Sequence, residues 1–225
     1  MAVRAVVVVA GGGSPPPGIV ASLPAGAPVI AADSGVDTAL ALGLAVDLVV
    51  GDLDSVSPAG LAAAEASGAR IVRHPVAKDA TDLALALGEA AGLLGEGGGD
   101  VIVLGGHGGR LDHLLAGILA LADEAWARLS LRAHLGPATV HVLHGPGERR
   151  LDGAVGELVS LIPVGGTATG VRTSGLRYPL RDEPLAPTTT RGVSNVIESL
   201  PATVALRTGV LLAVLPGDEP DGGHL

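Results

Sequence analysis

The chain contains no cysteine and no phenylalanine, a single tryptophan (Trp126) and a single tyrosine (Tyr178). Without cysteine there are no disulfides, no thiolate metal site and no cysteine nucleophile, a pattern that fits the cytoplasm. So few aromatics leave no stacking platform for single-stranded nucleic acid. Positive charge is also scarce: 14 Lys and Arg face 23 Asp and Glu, a formal charge of −9. That balance opposes a polyanionic partner that depends on phosphate neutralisation, and a phosphorylated substrate needs a bound cation as mediator. Long apolar runs are missing too. None approaches the ~18 residues of a membrane span, and the short run Ala5–Ala10 reads as a strand rather than a leader.

What is abundant is Ala, Val, Leu, Ile and Gly, with 48% of the chain hydrophobic and 35 glycines. Such a core suffices for one large domain or two modest ones over 225 residues. Val-rich runs of strand length stand at 5–9, 28–32, 46–50 and 100–104, and helical Ala/Leu stretches at 35–43, 58–67, 80–94 and 111–128. Strand and helix in alternation, with continuously apolar strands, predict a layered α/β domain with a largely parallel sheet. Ser57-Pro58 is an expected helix start, and Asp79 with Asp82 a variant capping box. Beyond about residue 130 short strand-like pieces separated by Gly, Pro and Thr predict an antiparallel β-sandwich, with Thr208-Gly209 as a hairpin turn. The expected division is 1–145 and 146–217, at Gly145-Pro146-Gly147, followed by a polar tail over 218–225.

The acids gather where α/β sheets bind ligands, beyond the carboxyl ends of strands. Asp33 ends "VIAAD", Asp52 and Asp54 follow "LVVG", and Asp79 and Asp82 lie in "KDATD". Their mutual repulsion is costly without a cation, and an all-oxygen donor set favours Mg²⁺. In extended backbone Asp52 and Asp54 project to one side, roughly 7 Å apart, as a pair that grips one ion or flanks two. Singly, these acids are also ordinary turn and cap residues; the metal-phosphate role rests on their joint placement. The stretch "LGGHGGRLDHLL" places a glycine-rich loop between a strand and a helix, an anion-binding arrangement to which Arg110 adds a phosphate fork. It is neither a Walker loop nor a dinucleotide fingerprint. Lys78 is a further candidate phosphate contact.

The segments "AADSGVDTAL", "DLVVGDLDSV", "KDATDLALAL" and "GGHGGRLDHLLAGI", in this order, resemble those of the thiamine pyrophosphokinase family. The likeness continues through "LVSLIPVGGTATGVRTSGLRYPL" and "TRGVSNVI". The resemblance implies transfer of a pyrophosphoryl group from ATP to the hydroxyl of thiamine, giving thiamine diphosphate and AMP, in a homodimer with sites between subunits. It implies Mg²⁺ on Asp52, Asp54 and Asp82, with Asp33 on metal waters or substrate. ATP would be held by Lys78, Asp79, Thr81, Gly105, Gly106, Gly108, Gly109, Arg110, Asp112 and His113, and thiamine by Ser194 and Asn195. The chain departs from the family pattern in three places. Ser34 replaces a usual glycine, Asp37 stands where asparagine is common, and Val196 stands where an acid is common. Another alcohol as acceptor, a thiamine analogue or a pterin, and a non-catalytic sensor are the competing expectations.

Overall fold

The computed structural model describes residues 3–13, 15, 17–77 and 79–217. Lys78 and the expected tail over 218–225 lie outside them. Among the described residues the chain forms two compact units. The first runs to Leu121 and adds Arg128–Gly136; the second comprises Ala122–Ala127 and the chain from Pro137 onward.

In the first unit six strands form one sheet: β1 (Ala5–Ala10), β2 (Val29–Ala32), β3 (Leu48–Gly51), β4 (Arg70–Arg73), β5 (Gly99–Leu104) and β6 (Leu129–Leu135). Their order is β4-β3-β2-β1-β5-β6, and every pairing is parallel. The central strands are buried along nearly their whole length, as expected for strands covered on both faces. The helices α1 (Gly35–Ala41) and α2 (Pro58–Ala66) contribute Val36, Ala39 and Ala64 to a core with Val7, Val9, Ala31 and Ile102. α3 (Asp82–Leu94) packs against β1, β2 and β3 and buries Leu87 and Ala90 completely. α4 (Leu111–Leu121) completes the set. No helix among the described residues is long and apolar enough to cross a membrane.

Local chemistry explains where sequence expectation and structure part. The helix expected over 111–128 ends at Leu121, because Asp123 accepts a hydrogen bond from the Ala125 amide at 2.9 Å and starts a separate 3-10 turn. β4 was not anticipated: "RIVR" carries only two apolar residues, enough for an edge strand. α3 is capped by Thr81, whose Oγ1 accepts from the Ala84 amide at 3.2 Å, and not by an Asp79–Asp82 box. Ser57 does cap α2, accepting from the Gly60 amide at 2.9 Å ahead of Pro58.

The second unit is built around one long strand. Its strands are β7 (Ala138–His144), β8 (Gly147–Arg150), β9 (Leu158–Ser174), β10 (Arg181–Leu185), β11 (Asn195–Val196), β12 (Thr203–Leu206) and β13 (Thr208–Leu215). The first part of β9 pairs antiparallel with β13, which pairs with β7; the last part pairs with β12 and β10. Gly165 and Gly170, with φ of 72° and 65°, interrupt β9 where it changes partners. Thr208-Gly209 is therefore not a hairpin turn. It carries the chain from β12, beside one end of β9, to β13, beside the other. Leu161, Leu211 and Ala213 from one sheet and Val171, Leu185 and Val204 from the other share a single buried core, the packing of a sandwich. The turn at Gly145-Pro146-Gly147 joins β7 to β8 within this unit, and the last crossing between units lies earlier, at Gly136-Pro137.

Candidate active site

The strand order fixes where a ligand fits. From β1 the chain steps outward through β2, β3 and β4, then returns to place β5 on the other side of β1. The crevice beyond the carboxyl ends of β1 and β5 is thus a topological switch point, the ligand position of open α/β sheets. The loops leaving those two strands are both glycine-rich and are interlaced. The Gly106 amide donates to the Gly11 carbonyl at 2.8 Å, and the Gly13 amide donates to the His107 carbonyl at 2.8 Å. Gly105 needs its missing side chain: a Cβ there would lie 2.4 Å from the Ala10 carbonyl oxygen. The Gly105 and Gly106 amides serve the main chain, with Gly105 donating to the His134 carbonyl at 3.1 Å. Gly108 and Gly109, both exposed and both at positive φ, form the outer part of the loop. Gly11–Gly13, which carry no sequence signal of their own, are half of this arrangement. Only the parallel pairing of β1 with β5 reveals them.

Next to the switch point, three carboxylates converge. Asp33 follows β2, Asp52 follows β3 and Asp82 opens α3, and one oxygen of each lies within 4.8 Å of the others. All three are half-buried. Backbone geometry arranges the approach. Asp33 and Leu53 adopt left-handed φ values of 47° and 64°, uncommon for residues other than glycine. Gly51, at the end of β3 with φ 150°, leaves the space between Asp33 and Asp82 open, since a Cβ there would lie 3.0 Å from Asp82 Oδ1 and 3.2 Å from Asp33 Cβ. Asp33 Oδ1 is buried and has no hydrogen-bond partner. Burial pushes the Asp33 carboxyl above its ordinary value of 3.8; the charges of Asp82 and Asp54 add to the rise, and backbone amides of Ser34 and Ser55 oppose it. Three carboxylates crowded together, one with a buried oxygen lacking any donor, fit a hard divalent cation.

Asp54 is placed differently. Leu53 turns the backbone, so the extended geometry expected for the pair does not hold, and the Asp54 carboxylate is exposed and accepts from Ser55 Oγ at 2.8 Å. The Asp54 amide lies 3.4 Å from Asp52 Oδ1. Asp79 and Thr81 are exposed just ahead of α3. Arg110 is exposed and forks onto Asp112, Nε to Oδ1 at 3.1 Å and Nη2 to Oδ2 at 2.6 Å. That contact holds the Asp112 carboxyl down at about 2, and His113, also exposed, donates its amide to Asp112 Oδ1 at 3.0 Å.

In the second unit Ser194 is exposed, with φ 58°, and donates its amide to Ser160 Oγ at 3.1 Å. Asn195 is buried, and its side-chain amide makes three hydrogen bonds. Oδ1 accepts from the amides of Tyr178 at 3.0 Å and Val196 at 2.9 Å, and Nδ2 donates to the Tyr178 carbonyl at 2.8 Å. Its evident task is to pin the turn that presents Tyr178, whose side chain is exposed. Sequence spacing gave no sign of this link, because 17 residues separate the partners.

Two family models match the chain. That of the thiamin pyrophosphokinase catalytic domain covers residues 24–132, and that of the thiamin pyrophosphokinase vitamin B1 binding domain covers residues 141–211. The chain belongs to the thiamin pyrophosphokinase family. No curated protein matches it by sequence. Solved structures of similar fold include thiamine pyrophosphokinase from Bacillus subtilis, at 23% identity and TM-score 0.81 over 96% of this chain and all (100%) of that one. The enzyme from Geobacillus thermodenitrificans gives 21% and 0.78, covering 97% and 99% of the two chains. That from Candida albicans gives 16% and 0.75, covering 96% and 89%. The catalytic-domain match spans the three carboxylates and the loop over 105–109, and the vitamin B1-domain match spans Tyr178, Ser194 and Asn195. This thiamin pyrophosphokinase family member thus carries its acids and glycine loops in one unit and the Asn195–Tyr178 turn in the other.

Proposed function

We propose that this pyrophosphotransferase moves the β,γ-pyrophosphoryl group of ATP to the hydroxyl of thiamine, yielding thiamine diphosphate and AMP. The observation that carries the proposal is the convergence of Asp33, Asp52 and Asp82 beside the glycine loops at the switch point. These three would hold Mg²⁺, with Asp54 as an outer contact to its waters. Bound there, the ion offsets the triphosphate charge and draws electron density from the phosphorus under attack. The chain's own groups supply the rest. Gly108, Gly109 and Arg110 face the phosphates, Arg110 exchanging its fork on Asp112 for phosphate oxygens. Asp79, Thr81 and His113 border the same nucleotide. In the second unit the Tyr178 ring and Ser194 are offered to thiamine, whose cationic ring suits an aromatic face. Asn195 serves thiamine by holding Tyr178, not by direct contact. The protein acts as a homodimer; Leu111, Leu115 and Leu119, spaced four apart on α4 and 68%, 52% and 59% exposed, are suited to burial in it.

The test is incubation with ATP, Mg²⁺ and thiamine, followed by nucleotide chromatography. AMP in equal amount with thiamine diphosphate is expected. ADP as the sole product sinks the proposal, and AMP released only with another alcohol would reassign the acceptor.

A further inference from the structure

Asp37 lies outside the carboxylate cluster, yet it connects the two segments that bring Asp33 and Asp52 together. It sits in the first turn of α1, which begins directly after Asp33 and Ser34. Its half-buried carboxylate reaches the far end of the loop that begins with Asp52. Oδ2 accepts the Ser57 amide at 2.9 Å, and Oδ1 accepts the Ser57 hydroxyl at 2.5 Å. That hydroxyl in turn accepts the Gly60 amide at 2.9 Å, so one chain of hydrogen bonds runs from α1 through the loop end into α2. The contact is built closely. A Cβ on Gly60 would lie 2.2 Å from Asp37 Oδ1, so any larger residue there would displace the carboxylate. Between the clamped end and Asp52 stands Leu53, in left-handed backbone that a loop free to relax would tend to leave.

We infer that Asp37 is a positioning residue that sets the spacing of Asp33 and Asp52, and through it the affinity of the site for a divalent cation. This rests on the metal role proposed for that cluster. A carboxylate is well suited to the place, because it accepts from both Ser57 donors while leaving the hydroxyl oxygen to accept from Gly60. Asparagine can keep most of the clamp: its oxygen accepts the Ser57 amide, and its NH₂ donates to the hydroxyl oxygen. Alanine removes both bonds and frees the loop end.

The experiment is titration of the full chain with Mn²⁺ alone, followed by electron paramagnetic resonance of free Mn²⁺, on wild type and Asp37→Ala, Asp37→Asn and Ser57→Ala. Asp37→Ala is expected to weaken Mn²⁺ binding about tenfold, the range seen when outer partners of metal ligands are removed. Asp37→Asn should stay within about twofold of wild type, because both contacts have a substitute donor or acceptor. Ser57→Ala, which keeps the amide contact, should fall between them. In turnover, Asp37→Ala should need more Mg²⁺ while kcat at saturating Mg²⁺ recovers. Wild-type and Asp37→Ala proteins with equal Mn²⁺ affinity, differing only in thermal midpoint, would overturn the inference and leave the metal site standing. No Mn²⁺ binding by wild type would instead remove the metal site itself. If Asp37→Ala does not fold, Ser57→Ala decides: unaltered Mn²⁺ affinity there overturns the inference.

Discussion

Replacing Asp33 by asparagine should make the metal-free protein more stable while abolishing its activity. The residue tolerates the change locally, since asparagine is among the side chains best suited to the φ of 47° at this position. What changes is charge. Two neighbouring carboxylates have an oxygen within 4.8 Å, so each pair repels by about 3.5 kcal/mol at an effective dielectric of ~20 and by about 0.9 kcal/mol in bulk water. The groups are half-buried, and solvent screening brings the sum of the two pairs toward the lower bound, about 2 kcal/mol. For a chain of this size that raises the thermal midpoint by roughly 4–8 °C. The pH dependence has a definite sign. The folded value of Asp33 is raised above 3.8, so its contribution to wild-type stability is fully present below that value. It is lost as pH rises through the folded value. The advantage of Asp33→Asn should therefore be absent in acid and grow toward neutral pH. The assay is thermal unfolding with a chelator across that range, repeated with Mg²⁺, which should stabilise wild type and not the variant. A variant less stable than wild type at neutral pH without metal, or equally stabilised by Mg²⁺, refutes the electrostatic account.

Two further outcomes follow from single contacts. Arg110→Ala should raise KM for ATP more than KM for thiamine, and should let the Asp112 carboxyl return from about 2 toward 3.8, read by side-chain NMR titration; an unchanged ATP dependence removes Arg110 from the phosphates. Asn195→Ala deletes three hydrogen bonds in a buried setting and should cost about 2–3 kcal/mol of stability by chemical unfolding. It should raise KM for thiamine through Tyr178 while leaving KM for ATP alone, and a variant unchanged in both would separate Asn195 from that turn.

Much of the molecule is legible from local chemistry. Runs such as "VVVV" and "LVVG" are apolar without alternation, which only strands covered on both faces require, and the parallel sheet of the first unit follows. The Ser57-Pro58 start of α2 is written in two residues, because an N-cap and a ring-fixed φ are local properties. The concentration of aspartates after strands, with little positive charge anywhere, already implies a cation. Tertiary structure decided which of them meet. Asp54 neighbours Asp52 in sequence, yet the left-handed turn at Leu53 sets it apart, while Asp33 and Asp82 arrive from distant segments through the pairing of β2 with β3 and the packing of α3. Likewise Gly11–Gly13 acquire meaning only beside the 105–109 loop, Asn195 only beside Tyr178, and Asp37 only beside Ser57. Periodicity, caps and charge are properties of neighbours along the chain, and sequence determines them; the meeting of side chains from separate elements depends on register and packing, which only the folded chain decides.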